Sequence, residues 1–493
     1  MPDQSDNPNV IHQPGDYNLE TVNIISYRKN DEEGILYEYD IKPIVLSVEL
    51  TEDIFSGFMS GNIIVKDAQD IRSVLPITGL ERLELAFSTP GMTGVRALRD
   101  EGHPFHIYKI EGVILDSTNP RAQFYNLYFC SKEMVYNSFN RVSQAYAGPI
   151  EEGVEKIIRE VDGLNSKKPF LFEPTKTNTK FVIPNLKPLN AINLMGQSAI
   201  SGLYNNAGYL FYETPQGLNF RSVESMLALG GASARPASFK YKYQIASTQD
   251  KNVEKDLGNV IQYHFQRPAN TLFNLNEGMI ASKLIAHDSF YKTIQETNFD
   301  YLESFGNYFH TEHDNGAKAV LKGTLPLSKF DGNQYYLSEK SNAKLMTTTN
   351  TSKTHNDYSI VPVEQTIQNK LSQRLQMRNV NVNLQVYGNS LINAGAVIYF
   401  EMPVMRPLGE NDKTSENPYW SGRYLVMAVK HILNRETERY EMSLKCMKDA
   451  VQTPYEVETD NVSVNERTYN QSVQSVYQAD QSYLNDIDMD ELE

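Results

Sequence analysis

Alternating apolar and polar residues mark a strand-rich block in the first quarter of the chain. Leu83, Leu85 and Phe87 alternate with Glu84 and Ala86, so the three large apolar side chains share one face of a predicted strand. Further β-branched and aromatic runs predict strands at 60–67, 105–115 and 124–130, separated by turn residues. Several strands at this spacing favour an antiparallel barrel or sandwich.

A second strand-rich block lies near the end of the chain, and its alternation is the clearest in the sequence. Four apolar residues between Val380 and Val386 alternate with Asn381, Asn383 and Gln385, which predicts a half-buried strand with a polar outer face. More strands are predicted at 396–401, 424–431 and 440–447, and Asn434 begins the turn between the last two.

After Pro149 the apolar residues recur at the spacing of a helix. Val154, Ile157, Ile158 and Val161 recur at helical spacing, which predicts one buried face, and Gly163 is the expected stop. A second helix is expected from Pro188, with Leu189, Ile192, Met195 and Ala199 inward, ending at Gly202 or at 205–206. The runs 208–213 and 217–221 predict a hairpin, so this region forms a small α/β domain.

The segment between the α/β region and the second block has weaker patterns. We expect a strand at 260–265, a helical stretch around Leu284 and a helix at 363–375. The run 345–358 is rich in threonine, serine and asparagine, which favours an exposed loop or a disordered insertion.

These patterns predict a β-rich α+β fold, with two antiparallel β-barrel or sandwich domains and a smaller α/β domain between them. The expected division is an N-terminal extension at 1–18, a first β domain at 19–135, an α/β domain at 136–235, a mixed segment at 236–370 with a polar insertion near 340–360, the main part of a second β domain at 371–450, and an acidic flexible tail at 451–493.

Charge and hydropathy restrict the class of function. The 61 acidic and 46 basic residues give a net charge of -15, which argues against binding nucleic acid through phosphate contacts but permits DNA to slide past. No run of 18 apolar residues is present, so no membrane insertion is expected. The polar N-terminus lacks the features of a secretory signal, and we expect a protein made in a cytoplasm.

Few residues are candidates for chemistry. His310, Glu312 and His313 offer two imidazoles and a carboxylate, but the H-E-x-x-H spacing is absent and the next residues predict a turn. Asp331 and Gly332 predict a hairpin turn. Cys130 and Cys446 lie in apolar strand-like runs and are expected to be buried thiols.

The lone tryptophan, Trp420, is expected either to anchor an interface or to pack against the following strand. Carboxylates are abundant, so a glycosidase pair stays an alternative, although no pair stands out. We expect no catalytic, cofactor-binding or metal-binding residues and no cofactor, and we do not expect an enzyme.

The order of four segments resembles the baseplate central hub proteins of contractile-tailed bacteriophages, a family related to the hub part of type VI secretion spike proteins. The segments are SGNIIVKDAQDIRSVLPITGLERLELAF, PLNAINLMGQSAISGLYNNAGYLFYET, VNVNLQVYGNSLINAGAVIYFEMP and GRYLVMAVKHILNRETERYEMSLKCMKDA. The polar insertion near 340–360 and the tail after 450 depart from the smaller members of the family.

The resemblance implies two tail-tube-like β domains in each subunit and a homotrimer. Six similar domains would then adapt a hexameric tail tube to a trimeric central spike and let DNA pass after the spike is released. The implied partners are the central spike, the tail tube or tube initiator proteins and the baseplate wedge proteins. The implied location is the virion baseplate, assembled in the host bacterial cytoplasm.

Three alternative functions stay open at this stage: a tail-associated cell-wall hydrolase, the hub of a phage-like secretion or injection system, and a host-receptor-binding tail protein. A DNA channel adds one physical expectation. Because salt screens charge beyond roughly 8 Å, only residues at the channel wall can prevent DNA from sticking. We therefore expect an acidic or neutral lumen.

Overall fold

The computed structural model describes residues 10–29, 36–74, 77–79, 81–115, 122–176, 178–204, 206–227, 237–244, 256–267, 271–288, 292–304, 308–311, 344–348, 363–377, 380–404, 416–417 and 419–449. Glu312, His313, Asp331, the stretch 349–358 and the tail 451–493 lie outside these residues, so the expectations made for them stay predictions.

In the described residues the first block consists of strands, a 3-10 helix at Lys42–Ile44 and one short α-helix. The strands are β1 (Asn18–Lys29), β2 (Leu36–Asp40), β3 (Val45–Asp53), β4 (Ser60–Asp67), β5 (Arg82–Ser88), β6 (Val95–Ala97), β7 (Phe105–Leu115) and β8 (Gln123–Cys130), and α1 (Ile71–Val74) follows β4. The strands predicted at 60–67, 105–115 and 124–130 are confirmed. On β5 the inward residues Leu83, Leu85 and Phe87 are fully buried, and Glu84 and Ala86 on the other face are buried too.

The middle region mixes helices with short strands. Its elements are α2 (Lys132–Phe139), β9 (Ala145–Pro149), α3 (Ile150–Arg159), β10 (Phe170–Phe172), β11 (Asn178–Val182), α4 (Pro188–Gln197), β12 (Tyr209–Thr214), β13 (Gly217–Ser222) and α5 (Val223–Leu227). Both predicted helices and the predicted hairpin are confirmed. Ile157 and Ile192 belong to one buried apolar cluster, which forms the core of this region.

The prediction that Val161 faces inward from the first helix is wrong. Val161 is 71% exposed because α3 ends at Arg159, and the chain has left the helix before that residue. Gly163 lies so close to the backbone that a Cβ there would come within 1.9 Å of the carbonyl oxygen of Ile157. The glycine is therefore needed for the close approach of the chain behind the helix. Likewise α4 ends at Gln197, before the stops expected at Gly202 or at 205–206.

The remaining elements complete the sheet and build a small second one. They are β14 (Phe239–Lys242), β15 (Val260–Arg267), α6 (Thr271–Asn276), β16 (Ala281–Asp288), β17 (Thr293–Asp300), α7 (Tyr301–Ser304), β18 (Lys344–Thr348), α8 (Val363–Gln376), β19 (Val380–Tyr387), β20 (Val397–Glu401), β21 (Gly422–Asn434) and β22 (Arg439–Lys448). The strand at 260–265, the helix at 363–375 and the strands of the second block are confirmed.

Two expectations for the 236–370 segment are wrong. The stretch around Leu284 is the strand β16, in which Ser282, Leu284 and Ala286 are buried at every second position, a period that a helix does not have. Lys344–Thr348 is not a loop, because β18 pairs in parallel with β16. The β-branched threonines of this run suit a strand that has a partner.

A single large sheet contains the strands of both blocks. In the part of the chain that the structure describes it has 14 strands, in the order β15-β19-β22-β21-β3-β4-β8-β7-β5-β1-β2, with β20 beside β21, β14 beside β20 and β6 beside β5. All pairs are antiparallel except β14 with β20. The β-rich class with extended antiparallel pairing is confirmed.

The junction between the two blocks is the pair formed by β3 and β21. Seven residue pairs connect these strands, from Asp53 opposite Ala428 to Ser47 opposite Asn434. Val48 and Leu50 from the first block and Val429 and Leu444 from the second belong to the same buried apolar cluster. The blocks therefore share a core across their junction. That each block is a tube-like module stays a prediction.

Candidate assembly interface

At each end of the large sheet the last strand pairs with one other strand in the described part of the chain. There β2 pairs only with β1, and β15 pairs only with β19. The branch through β20 ends in β14, which pairs with β20 and also meets the residue before β15 through a parallel bridge between Lys242 and Asn259. An end strand presents a row of backbone N–H and C=O groups that another strand can pair with. These ends are therefore the candidate sites at which a second copy or another protein adds a strand.

The side chains at the two ends are partly apolar. Tyr37 on β2 is 49% exposed and Ile261 on β15 is 40% exposed. On β15 the ring of Phe265 packs against Trp420 with 4.0 Å between centroids, and Tyr263 lies beside Phe265. Trp420 therefore packs on the end strand β15, and it also lies against the buried apolar cluster that contains Tyr424 of the following strand, β21. This aromatic cluster stiffens the β15 end of the sheet.

A second exposed surface is the far half of the hairpin formed by β7 and β8. Successive residues Val113, Ile114 and Leu115 are all exposed, although neighbouring residues of a strand point to opposite faces. Both faces of the hairpin are therefore uncovered here. Consecutive exposed apolar residues of this kind are typical of surfaces that contact another protein.

Glu52, His431 and Tyr440 form a fully buried polar network at the junction of the blocks. The Nε2 of His431 lies 2.9 Å from Oε1 of Glu52, and Nδ1 of His431 lies 2.7 Å from the hydroxyl of Tyr440. The other carboxylate oxygen of Glu52 accepts a hydrogen bond from the backbone N–H of Ala394 at 3.0 Å. Burial, and then the charge of Glu52, raise the pKa of Tyr440 well above its ordinary value.

This network has the order of groups found in nucleophilic catalysis: a carboxylate, an imidazole and a hydroxyl. Its hydroxyl is a phenol, however, and all three residues are completely buried. A substrate therefore has no path to it. Its role is structural, because Glu52 from β3 is hydrogen-bonded to His431 from β21, across the pair of strands that joins the two blocks.

A buried cluster of charges attaches the middle region to the first block. Lys168 Nζ lies 2.8 Å from Glu133 and also bonds Glu213, and all three side chains are more than nine-tenths buried. Glu213 accepts a hydrogen bond from the backbone N–H of Met59 at 2.9 Å, which connects β12 to the residue before β4. Burial alone would lower the pKa of Lys168, but the two carboxylates raise it above its ordinary value.

Of the residues considered for metal binding, His310 lies in the described part of the chain. His310 is buried, and its Nδ1 lies 2.8 Å from the carboxylate of Asp449, which also accepts hydrogen bonds from Thr311. Burial would raise the pKa of Asp449, but His310 and Thr311 hold it below its ordinary value. Among the described residues, no group of three or more His, Cys, Asp or Glu residues is arranged to hold a metal ion.

Both cysteines are free and buried, as expected. Burial, together with the nearby Glu213 and Glu133, raises the pKa of the Cys130 thiol to about 12, which suppresses its reactivity. Within the described ranges, no helix is long and apolar enough to cross a bilayer.

No protein-family model matches the chain, and no curated protein matches it. Solved structures with a similar fold include a tail protein from Neisseria meningitidis, with 11% identity, coverage of 89% of this chain and 98% of that chain, and a TM-score of 0.49. A 43 kDa tail protein of a Shewanella oneidensis prophage has 8% identity, coverage of 88% and 99%, and a TM-score of 0.47. A type VI secretion component from E. coli has 10% identity, coverage of 84% and 75%, and a TM-score of 0.37.

Proposed function

We propose that the protein is a structural subunit of the baseplate hub in a contractile phage tail. In this proposal three copies form a ring that adapts the hexameric tail tube to the trimeric central spike, and DNA passes through the ring after the spike is released. The observation that carries the proposal is the single sheet that joins both strand blocks and whose end strands, β2 and β15, each pair with one strand in the described part of the chain.

Strand addition provides the physical route to such a ring. If β2 of one copy pairs with β15 of the next, the contact is head-to-tail, and a head-to-tail contact closes a ring when its rotation divides a full turn. Backbone hydrogen bonds supply much of the binding in this mode and need no matched side chains. The shared core at β3 and β21 holds the two ends of each subunit in a fixed relation.

The role is proposed to be non-catalytic. Support comes from the complete burial of the Glu52, His431 and Tyr440 network. The channel wall is proposed to be acidic or neutral, so that the DNA polyanion is not retained. A channel lined mainly by lysine and arginine contradicts this part of the proposal.

Native mass measurement tests the hub role. The expected mass is three times that of the 56.1 kDa chain, alone or in the presence of a trimeric tail spike. Tyr37→Lys and Ile261→Lys place a charge on the β2 and β15 ends and should each shift the mass to that of a monomer, since lysine on an edge strand opposes pairing.

The control substitution is Leu203→Lys, which adds the same charge at another exposed apolar residue, in the turn after α4 and outside β2 and β15. It should leave the mass unchanged. A wild-type chain that stays monomeric at every concentration and does not respond to the spike contradicts the proposal.

A further inference from the structure

A cleft with a volume of about 860 Å³ lies on the first block, beside α2. It is bordered by the end of β1 at Tyr27, by the start of β5 at Arg82, by β7 at His106 and Tyr108, and by α2 from Lys132 to Phe139. Its volume falls in the range of sites that bind small molecules or short peptide segments. Its lining includes no residue of the end strands β2, β14 and β15, and none of the network formed by Glu52, His431 and Tyr440.

The charges of the cleft are opposite to those of the whole chain. Among the described residues that line it, Arg82, Arg99 and Lys132 are cationic and none is acidic, although the protein carries a net charge of -15. Arg99 lies 3.7 Å from Glu38, with both side chains partly exposed, so that ion pair is weak. The cleft is therefore a local positive site on an acidic protein.

Aromatic rings hold two of the cations in place. The guanidinium of Arg82 lies 5.1 Å from the centroid of the Tyr27 ring, and Lys132 Nζ lies 4.8 Å from that of Tyr136. Lys132 also donates a hydrogen bond to the carbonyl oxygen of Asn165 at 2.9 Å, which leaves further N–H groups of the ammonium for a ligand. Cations already positioned in this way lose little freedom when an anion binds.

Exposed rings add an apolar surface to the same cleft. Phe139 is 62% exposed, Tyr108 53% and Tyr27 48%, and the Phe139 ring lies 5.1 Å from that of Tyr136. Burial, and then Arg82 and Lys132, lower the pKa of His106 to about 4, so its imidazole is neutral near pH 7. The ligand must therefore combine negative charge with an apolar group.

We propose that this cleft binds an acidic peptide segment of a partner protein, with carboxylates on Arg82 and Lys132 and an apolar side chain against Phe139 and Tyr108. Guanidinium and carboxylate groups match in shape and form paired hydrogen bonds. A nucleic acid is disfavoured, because the net negative charge of the chain repels a long polyanion. The proposal does not depend on the hub role.

Calorimetric titration of the full chain tests the proposal. The probe is an acetylated hexapeptide with four glutamates, one phenylalanine and one leucine, and its counterpart carries lysines in place of the glutamates. The acidic peptide should bind and weaken as salt is raised, whereas the basic peptide should not bind. Arg82→Ala and Lys132→Ala should each lower the affinity about tenfold, the expected effect of losing one hydrogen bond to a charged group.

Two further variants keep the test decisive. Phe139→Ser changes a mostly exposed side chain, so it should lower the affinity without changing the melting temperature. Lys445→Ala removes an exposed cation of β22, outside the cleft, and should leave the affinity unchanged. Three results would each overturn the proposal: failure of the acidic peptide to bind, wild-type affinity in the Arg82→Ala and Lys132→Ala variants, or tighter binding of a single-stranded DNA oligonucleotide.

Discussion

Glu52 and His431 are hydrogen-bonded across the pair of strands that joins the two blocks in the described part of the chain, with 2.9 Å between Oε1 and Nε2. Because a carboxylate only accepts, Nε2 of the imidazole donates and, in the neutral ring, Nδ1 accepts from the hydroxyl of Tyr440. On the same two strands Glu49 and Lys430 form an ion pair at 2.9 Å that is partly exposed. The two contacts differ mainly in burial, which allows a direct comparison.

Glu52→Ala should destabilise the protein by about 3 kcal/mol or more. The substitution leaves the backbone N–H of Ala394 and the imidazole of His431 buried without their acceptor, and unpaired buried polar groups are costly. Urea unfolding measures the loss as a lower midpoint.

Glu49→Ala is the matched control on the same strand. Since both partners of its ion pair are partly exposed, the loss should stay below about 1 kcal/mol. Equal effects of the two substitutions would show that the buried network adds nothing to the junction.

The Lys168 cluster gives a second test. Lys168→Met leaves Glu133 and Glu213 buried together without a cation, which should cost about 3–5 kcal/mol. Glu213→Gln should cost less, because burial already raises the pKa of Glu213 and favours its neutral form. Urea unfolding again measures the loss.

Lys109→Met is the control for the cluster, since it breaks an exposed ion pair with Glu111 at 2.6 Å. It should leave the midpoint nearly unchanged. A Lys168→Met protein as stable as the Lys109→Met protein contradicts the structural role of the cluster.

The alternation along the chain predicts the strands well, because one face of most of them is buried. It also contains a signal for the junction network: Glu52 has the parity of the inward Val48 and Leu50, and His431 has that of Val429 and Leu433. A polar residue at an inward position predicts a buried polar group. Its partner is not predictable, because Glu52 and His431 are 379 residues apart and only the pairing of β3 with β21 brings them together.

The two errors in the 236–370 segment have a common cause in tertiary pairing. The segment around Leu284 contains enough apolar residues for either a helix or a strand, and its strand partners β17 and β18 decide the outcome. The sequence does not predict the cleft beside α2, for a similar reason. Arg82, Arg99 and Lys132 are scattered among ordinary strand and helix residues, and only the packing of β5, β7 and α2 places them together.

Gly388→Ala should disturb the junction from its second-block side. A Cβ at this position would come within 2.0 Å of the ring of Tyr440, which is fully buried and packs edge-on against Phe87 at 5.8 Å. Because the hydroxyl of Tyr440 is also hydrogen-bonded to His431, the ring cannot move aside. The overpacking should lower the free energy of unfolding by about 1–3 kcal/mol.

Gly57→Ala is the comparison, since the new Cβ would meet the flexible end of Leu189 at 2.8 Å. Leu189 can change its rotamer, so the thermal midpoint should fall less than in Gly388→Ala. The opposite ranking of the two midpoints would mean that Tyr440 is free to shift.

Glu224 makes the stability of the protein depend on pH. Burial raises its pKa to about 7, and the nearby charge of Glu173 adds to the increase. Hydrogen bonds from Asn206 and from the backbone N–H of Phe309, together with the nearby His310, lower the pKa in part. A carboxyl group whose pKa is raised on folding contributes stability that is fully present below its unfolded pKa, about 4.5, and is lost as the pH rises through 7.

Glu224→Gln replaces the carboxyl group by a neutral group of the same shape, so the variant should match the wild type near pH 4.5. At pH 8 the wild type must keep a buried charge, and the variant should be more stable by up to about 3 kcal/mol. Thermal unfolding at both pH values measures the difference, and Glu436→Gln, at an exposed turn, should show no such divergence. Parallel pH profiles for wild type and Glu224→Gln would mean that Glu224 titrates normally in the folded protein.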